Sequence, residues 1–538
     1  MTSDQPILVV GAGPSGLTMA CELFRLGIGC RVVDAAPLTE KGSRAIGVSA
    51  RSLEVLDAFG AAEPLVAKGL RSTSAVFYSQ RAPIGRVSAN SVRDTRFPFM
   101  LTVPQPETER VLNERLAALG GAVEREVELR ELIQEPDGRS VTVVLAHADG
   151  TVETVNTPWL IGADGAHSVV RKLSGIGFTG EDAKDTFVIV DVLADGGPPV
   201  GEGHYYFHPD GLSLVAPLPD GAYRLAATAD RDEVQGELTL DRVQRLFSRR
   251  IDPAIRITRL RNAGWGVATT QVRPRMASTF RAGRCLIAGD AAHLFGPVGG
   301  QGMNGAIQDV QNLAWKLALV SLGAADEALL DTYEAERLPA AHVAMAAASS
   351  QTRLGTLKPW FGRTVRDLAL RLGTRTGKLN ARIVPSLTQL TTTYPANDYL
   401  RGGALPGVGQ RIPDTEVGDA GDARTLFDLL RRSWFTVLVL GARSDEATQR
   451  LADSVAALDG HPAVTTQVIA LHRDGAMLDR AGRLHELLDV REPTAYLIRP
   501  DGYVAAAGPL AAASSIVAAL ARFTAVSSAP VSRSDGGR

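Results

Sequence analysis

Two glycine-rich turns, far apart in the chain, hold the residues best suited to chemistry: VVGAGPSG at 9–16 and GDAAHLFGPVGGQGMNGAIQD at 289–309. In the first, Gly11, Gly13 and Gly16 form G-x-G-x-x-G around Pro14 and Ser15, and Asp34 follows Gly16 by 18 residues. Between a strand and a helix, that spacing gives a tight turn, close backbone approach to a pyrophosphate and close helix packing. The helix N-terminus stabilises phosphate charge, and Asp34 is placed to accept from a ribose 2′-OH. An acid there disfavours a 2′-phosphate, so the turn suits FAD or NAD rather than NADP.

The second turn follows the apolar run CLIAGD, which ends in Asp290, an acceptor suited to the ribityl hydroxyls of a flavin. Pro297, Gly299, Gly300, Gly302, Met303 and Asn304 then offer bare backbone to a flat ring and a phosphate. A helix from about Gly305 points its N-terminus the same way. A second, independent nucleotide site is the competing reading, but the stretch lacks the G-x-G-x-x-G spacing and a ribose-binding acid one strand later. One extended FAD, held at both ends, accounts for both turns.

These turns need a scaffold, and the hydrophobic pattern supplies one. PILVV and CRVVD read as buried parallel strands flanking a helix over 14–26. A helix is expected over 107–119, followed by the hairpin SVTVVLAHADGTVETV with Asp-Gly at its turn. WLIGADGAHSVVRKLSG reads as strand, tight turn, helix. Residues 185–270 are strand-rich and broken by HPDG and LPDG, which suggests a mixed sheet forming its own lobe. A strong helix over 306–322 precedes a mainly helical stretch to 395, and RGGALPGVGQRIPD marks a boundary. Beyond it, strands alternate with helical segments in a small α/β unit, and the tail SSAPVSRSDGGR reads as disordered.

Composition sets limits. A chain of 538 residues, 45% hydrophobic and 22% charged, fits two or three globular domains. A net charge of −2 gives no general attraction to nucleic acid or acidic lipid. Basic residues nevertheless cluster from Arg353 to Arg382, facing only Asp367 as an acid. They form either the solvated face of one or two helices or a surface that attracts an anion. The three cysteines show no CxxC and no metal-ligand spacing, consistent with a reducing cytoplasm. No apolar run is long enough to span a membrane, and with a strand expected within five residues of the start a signal peptide is not expected.

GAGPSG, GADGAHSVVR and GDAAHLFGPVGGQGMNGAIQDVQNLAWKLA together resemble the three signatures of class A flavoprotein aromatic hydroxylases, the para-hydroxybenzoate hydroxylase family. Its larger members, which hydroxylate aromatic polyketides, are the most similar. The resemblance covers residues 5–395, and LPGVGQRIPD with the C-terminal unit resembles the thioredoxin-like appendix of the polyketide and phenol hydroxylases. It implies an α/β fold: a Rossmann-like FAD-binding domain (1–175 and 273–395), a β-sheet substrate domain (176–272, joined by strands from 74–103), a thioredoxin-like domain lacking CxxC (401–525), and a disordered tail (526–538). Without CxxC, the third unit is expected to serve as an interface or scaffold.

The resemblance also implies roles. Gly11, Gly13, Pro14, Ser15 and Gly16 line the pyrophosphate, and Asp34 the adenosine ribose. Arg44 and Gln105 hold the FAD phosphates and ribityl side, and Val127 contacts adenine through its backbone. Asp164 is tied to FAD and NAD(P)H binding. Asp290 takes the ribityl chain, while 297–304 passes beside the isoalloxazine. A surface salt bridge for Arg44, a helix-cap side chain for Gln105 and the turn acid of an Asp-Gly for Asp164 are the alternatives. The reaction implied uses FAD held non-covalently, transient NAD(P)H (NADPH favoured) and O2 to hydroxylate a polycyclic phenol through a flavin C4a-hydroperoxide. Such a reaction belongs to secondary-metabolite (antibiotic) biosynthesis. Baeyer–Villiger oxygenation, or inactivating hydroxylation of an aromatic antibiotic or simple phenol, are the alternatives on the same scaffold. A non-catalytic flavin-binding protein is a different class. No residue is assigned as an essential base; Arg44, Tyr206, His208 and Pro297 are candidates, with core or surface roles the bland readings of Tyr206 and His208. His293 is expected to pack and hydrogen-bond. The expected partners are a small aromatic substrate and O2, with no nucleic acid or membrane, in a cytoplasmic monomer or homodimer.

Overall fold

The computed structural model describes residues 6–37, 45–181, 186–261, 268–271, 273–296, 299–400, 407–418, 424–431, 434–441, 445–455, 464–470, 477–479 and 482–524. Arg44, Pro297 and the expected disordered tail lie outside them.

The short apolar runs recognised in the sequence assemble into one six-stranded sheet. Its order is Arg281–Ala282, Cys285–Ile287, Leu160–Gly162, Ile7–Val10, Cys30–Asp34, Val123–Arg125. All neighbours are parallel except the first pair. Three strands that end in glycine-rich turns, Leu160–Gly162, Ile7–Val10 and Cys285–Ile287, therefore release their chains at the same edge. In an open α/β sheet that carboxyl edge is where ligands bind. The helices Pro14–Arg25 and Gln301–Ser321 start from it, and the buried core beneath includes Leu8, Val9, Leu17, Val32, Ile161, Leu286 and Ile307.

The second helix begins earlier than the expected start near Gly305. Gly300 adopts a left-handed backbone (φ +62°) as its N-cap, so Gly302, Met303 and Asn304 lie in its first turn rather than in a loop. The reason is tertiary. Asn304 is fully buried and donates to the Gly47 carbonyl at 2.9 Å, while its own oxygen accepts from Ser49 N at 2.8 Å. That clamp fixes the turn despite two poor helix formers, Gly302 and Gly305.

Above this edge stands an eight-stranded sheet. Its path runs Arg256–Leu260, Thr186–Asp195, Ala222–Ala229, Gly211–Pro217, Glu202–His208, Ser74–Ser79, Ala82–Ser88, with Ala268–Gln271 paired to Thr186–Asp195. One face packs on the helix Leu240–Ser248 through Val190, Leu225, Val243 and Phe247. The strands Ser74–Ser79 and Ala82–Ser88 thus join this sheet from an early part of the chain.

The C-terminal unit is a thioredoxin-like five-stranded mixed sheet, in the order Met477–Leu478, Val464–Ala470, Phe435–Gly441, Thr494–Ile498, Val504–Pro509. It docks through buried charge rather than by apolar contact alone. Arg499 makes two bonds to Glu336, at 2.7 and 2.9 Å, and Lys316 reaches the same carboxylate at 2.9 Å. Arg51 donates to the Asp501 carbonyl, and both Arg51 and Arg411 bind Glu54. Every member of this set is nearly water-free. Burial, against the pull of Glu336, brings the Lys316 ammonium down to about 8, while Arg499 and Lys316 hold the Glu336 carboxyl far below its usual range despite burial.

Candidate active site

A cavity of about 900 Å³ opens between the carboxyl edge of the parallel sheet and the inner face of the eight-stranded one. Its floor is formed by Gly13, Pro14, Ser15, Asp290, Gly299, Gly300, Gly302 and Met303, and Gln105 joins from the side. Residues from both glycine turns therefore meet in one space, as a single long ligand requires.

The three turns interlock. A Cβ on Gly16 would lie 1.8 Å from the Gly11 carbonyl oxygen, and one on Gly11 would lie 2.3 Å from the Ala163 oxygen. Both glycines thus serve packing, and neither lines the cavity. Gly13 is the opposite case: no atom lies within 4 Å of where its Cβ would be. It is also the N-cap of Pro14–Arg25 without a side-chain cap, so the free N–H groups of that helix face the cavity. A bare backbone, an uncapped helix start and open space form a cradle that fits the pyrophosphate of FAD. Asp290 is exposed to the same space.

The other residues marked from the sequence fall into different places. Asp34 lies away from the cavity lining; its carboxylate accepts from Ala12 N at 2.6 Å and Ala36 N at 2.8 Å, with Arg125 at 3.6 Å. Asp164 caps the short helix Val169–Leu173, accepting from Ser168 Oγ at 2.5 Å and from Val169 N at 2.6 Å. Its neighbours Ala163, Gly165, Ala166 and His167, not its carboxylate, line the cavity. Val127 is buried at the start of its strand, and Asn304 acts as the clamp described above. Tyr206 turns into the core behind the large sheet. There it stacks on Tyr78 at 4.8 Å and meets His204 at 3.3 Å, and burial pushes its phenol upward. His208 sits beside Asp210 at the hairpin end. Neither Tyr206 nor His208 reaches the cavity, so the structure removes both as catalytic candidates. His293 lies behind the floor, bonded at 2.6 Å to the buried Asp309, which Arg337 also holds at 2.8 Å. These partners keep the Asp309 carboxyl below its ordinary range against its burial.

Strand alternation puts the neighbour, Tyr205, into the cavity. It stacks on Phe77 at 5.4 Å and shares the wall with Ile189, Leu214, Ala216 and Ala226. The same wall carries Arg224, which is 2% exposed and held by a two-pronged bond to Asp191 at 2.6 and 2.8 Å. Sequence reasoning missed this pair. Its signal was one base inside AYRLAATA and one acid, Asp191, in the apolar middle of TFVIVDVLAD. Arg171 was missed as well: from the second signature it binds the Ala291 carbonyl at 2.9 Å and so fixes the Asp290 turn.

Comparison with known proteins agrees with this geometry. The family described as FAD binding domain matches residues 4–348, and that described as aromatic-ring hydroxylase, C-terminal, matches residues 405–525. The chain belongs to the FAD-dependent aromatic-ring hydroxylases. The 6-methylpretetramide 4-monooxygenase of Streptomyces rimosus is 33% identical to this hydroxylase, over 96% of this chain and 93% of that one. A solved ternary complex of aklavinone-11 hydroxylase with FAD and aklavinone superposes with a TM-score of 0.76 at 27% identity, covering 96% and 98% of the two chains. Dialkyldecalin synthase of Streptomyces rugosporus is 31% identical over 94% of this chain and 96% of its own. FAD is accordingly the cofactor, and the floor of the cavity fits it.

Proposed function

We propose that this hydroxylase consumes NAD(P)H, with NADPH favoured, and O2 to hydroxylate a polycyclic aromatic phenol of polyketide type, in antibiotic biosynthesis. One observation carries the reading: the space over the cofactor floor continues without a break along the apolar wall of Ile189, Tyr205, Leu214, Ala216 and Ala226. A flat, apolar, multi-ring molecule suits that wall, and the names of the polyketide-modifying relatives support the class.

The chemistry that bound FAD supplies is hydride acceptance from NAD(P)H and activation of O2 for transfer of one oxygen atom. The chain's own residues do the rest. Gly13 to Ser15 and the helix start behind them hold the pyrophosphate, and Asp290 accepts from the ribityl hydroxyls. Arg44, by family resemblance, grips the phosphates. Tyr205 and its neighbours exclude water and stack the substrate rings. Arg224, its plane set by Asp191, offers donors to a phenolic or carbonyl oxygen of the substrate, fixing which ring carbon faces the reacting centre. His167 and Asp290 line the cavity as proton acceptors, but a phenol already activated by its own oxygens needs no general base.

The test is NADPH oxidation and O2 uptake by the purified yellow protein across a panel of polycyclic phenols. Substrate-stimulated, stoichiometric consumption with an oxygenated product is expected. The similarity to dialkyldecalin synthase supports one second reading, a flavin protein that shapes an apolar substrate without oxygenating it. A product isomeric with its substrate, formed without O2, would favour it.

A further inference from the structure

The helix Trp360–Arg375 presents two unlike faces. Its inner face is anchored: Arg366, 5% exposed, donates to the Leu354 carbonyl at 3.1 Å and lies 4.6 Å over the Phe207 ring, and Leu370 packs against the cluster of Phe77 and Phe207. Its outer face is apolar and open. Trp360 and Phe361 are 72% and 66% exposed, and Val365, Leu368 and Leu372 are each at least half exposed. At about 100° per residue, Phe361, Val365, Leu368 and Leu372 fall within roughly 60° of arc, a straight stripe about 17 Å long.

Cations border that stripe. Arg371 and Arg375 lie along one side of it on the same helix. Arg353 and Lys358 precede it, and Lys378 and Arg382 follow on the helix Lys378–Thr388. All six are exposed, and among the described residues none forms an ion pair. The one acid of the segment, Asp367, is already bound to Arg366. Contiguous apolar surface with a charged rim marks an interaction site rather than an ordinary solvated face.

We propose that this face docks the enzyme on an anionic lipid bilayer, the apolar stripe entering the headgroup boundary and the cations meeting lipid phosphates. Charge chooses the occupant. A second copy docked face to face would set six cations against six, and the stripe, about 17 Å by 10 Å, offers far less than the ~800 Å² per partner of a stable dimer. An aromatic pair at one end, aliphatic residues along one side and basic residues at the border form the pattern of a helix lying in a membrane interface. No helix among the described residues is long and apolar enough to cross a membrane, so the contact is peripheral. The expectation of no membrane partner rested on a net charge of −2, which conceals this local excess of eight basic residues over one acid. The helix that follows supplies Val384, Leu387 and Thr388 to the cavity lining, so the docked face lies one helical layer from the site.

The FAD-loaded enzyme is to be sedimented with vesicles of phosphatidylcholine alone and of phosphatidylcholine mixed equally with phosphatidylglycerol. Two paired variants accompany it, Phe361→Ser/Leu368→Ser and Arg371→Glu/Arg375→Glu. The wild type should pellet with the anionic vesicles, pellet poorly with the neutral ones, and be released as salt is raised. Each paired variant should partition at least tenfold less while keeping wild-type flavin content, melting temperature and turnover of a dissolved substrate. Wild-type protein that ignores anionic vesicles overturns the proposal, as does equal binding by the variants. A solution dimer that Phe361→Ser/Leu368→Ser dissociates would overturn it in favour of a second copy.

Discussion

Gly13 and Gly16 are three residues apart in one motif, yet the structure gives them different work, and replacing each by alanine separates binding from folding. At Gly13 the backbone (φ −77°, ψ −174°) is open to any residue, and a Cβ would meet no protein atom within 4 Å. Gly13→Ala should therefore leave the flavin-free protein within about 1 kcal/mol of wild type, the scale of an N-cap change. The added methyl would instead occupy the cradle proposed for the pyrophosphate. Holding the phosphate off the helix start weakens one or two charge-assisted hydrogen bonds worth about 1.5–3 kcal/mol each, so FAD should bind roughly 10- to 100-fold more weakly. At Gly16 the Cβ would sit 1.8 Å from a backbone oxygen that cannot swing away. Gly16→Ala should thus destabilise even the flavin-free protein, by about 1–3 kcal/mol as overpacking does. Melting of the stripped proteins and quenching of flavin fluorescence on titration with FAD give the two quantities independently. A Gly13→Ala variant that binds FAD as tightly as wild type would refute the cradle, and one that fails to fold would refute the division of labour.

Four further outcomes follow from the site and its supports. Asp290→Ala should stay folded but lose FAD occupancy, by about 1–3 kcal/mol if its carboxylate accepts from the ribityl hydroxyls; dialysis and absorbance would show it. Arg224→Met should retain flavin yet raise KM for the aromatic substrate at least tenfold, about 1.4 kcal/mol, whereas an unchanged KM would remove Arg224 from substrate binding. Glu336→Gln leaves Lys316 buried with a neutral partner and Arg499 with Asp501 as its remaining carboxylate, and denaturant melts should record a loss approaching the 3–5 kcal/mol of a broken buried pair. Burial and the nearby Glu54 carboxylate push Asp414 up from 3.8 to about 7. Its contribution to stability is therefore full below pH 3.8 and is lost as pH rises through about 7, and Asp414→Asn should flatten that part of the stability–pH curve.

What the sequence disclosed and what it hid divide along a physical line. The glycine turns were legible because their demands are local: a glycine three residues from another is visible without knowing any neighbour, and an apolar run before it fixes the strand. That both turns serve one ligand was also legible, since Asp290 sits in the turn just after a strand and no second ribose acid follows. Parity was not. Tyr205 and Tyr206 are indistinguishable until Glu202–His208 takes its register, His204 opposite Val215 and Tyr205 opposite Leu214, and a slip of one residue exchanges their faces. The same holds for residues whose partners are remote. Asn304 read as bare approach to the flavin because Gly47 and Ser49, some 250 positions earlier, gave no sign that they would claim its amide. Asp164 read as a ligand group because nothing in the sequence chose between that and a turn acid; its bonds to Ser168 and Val169, and the grip of Arg171 on Ala291 once strands 160–162 and 285–287 lie side by side, decide it. The buried charges under the C-terminal unit show this most fully. Glu336 and Lys316 sit in long helices where a charged residue usually marks the wet side, and only the arrival of Arg499 and Asp501 makes that position dry. Motifs thus locate the edge of the sheet where a cofactor can lie; the residues that choose the substrate and hold the edge rigid are set by pairings between strands and units.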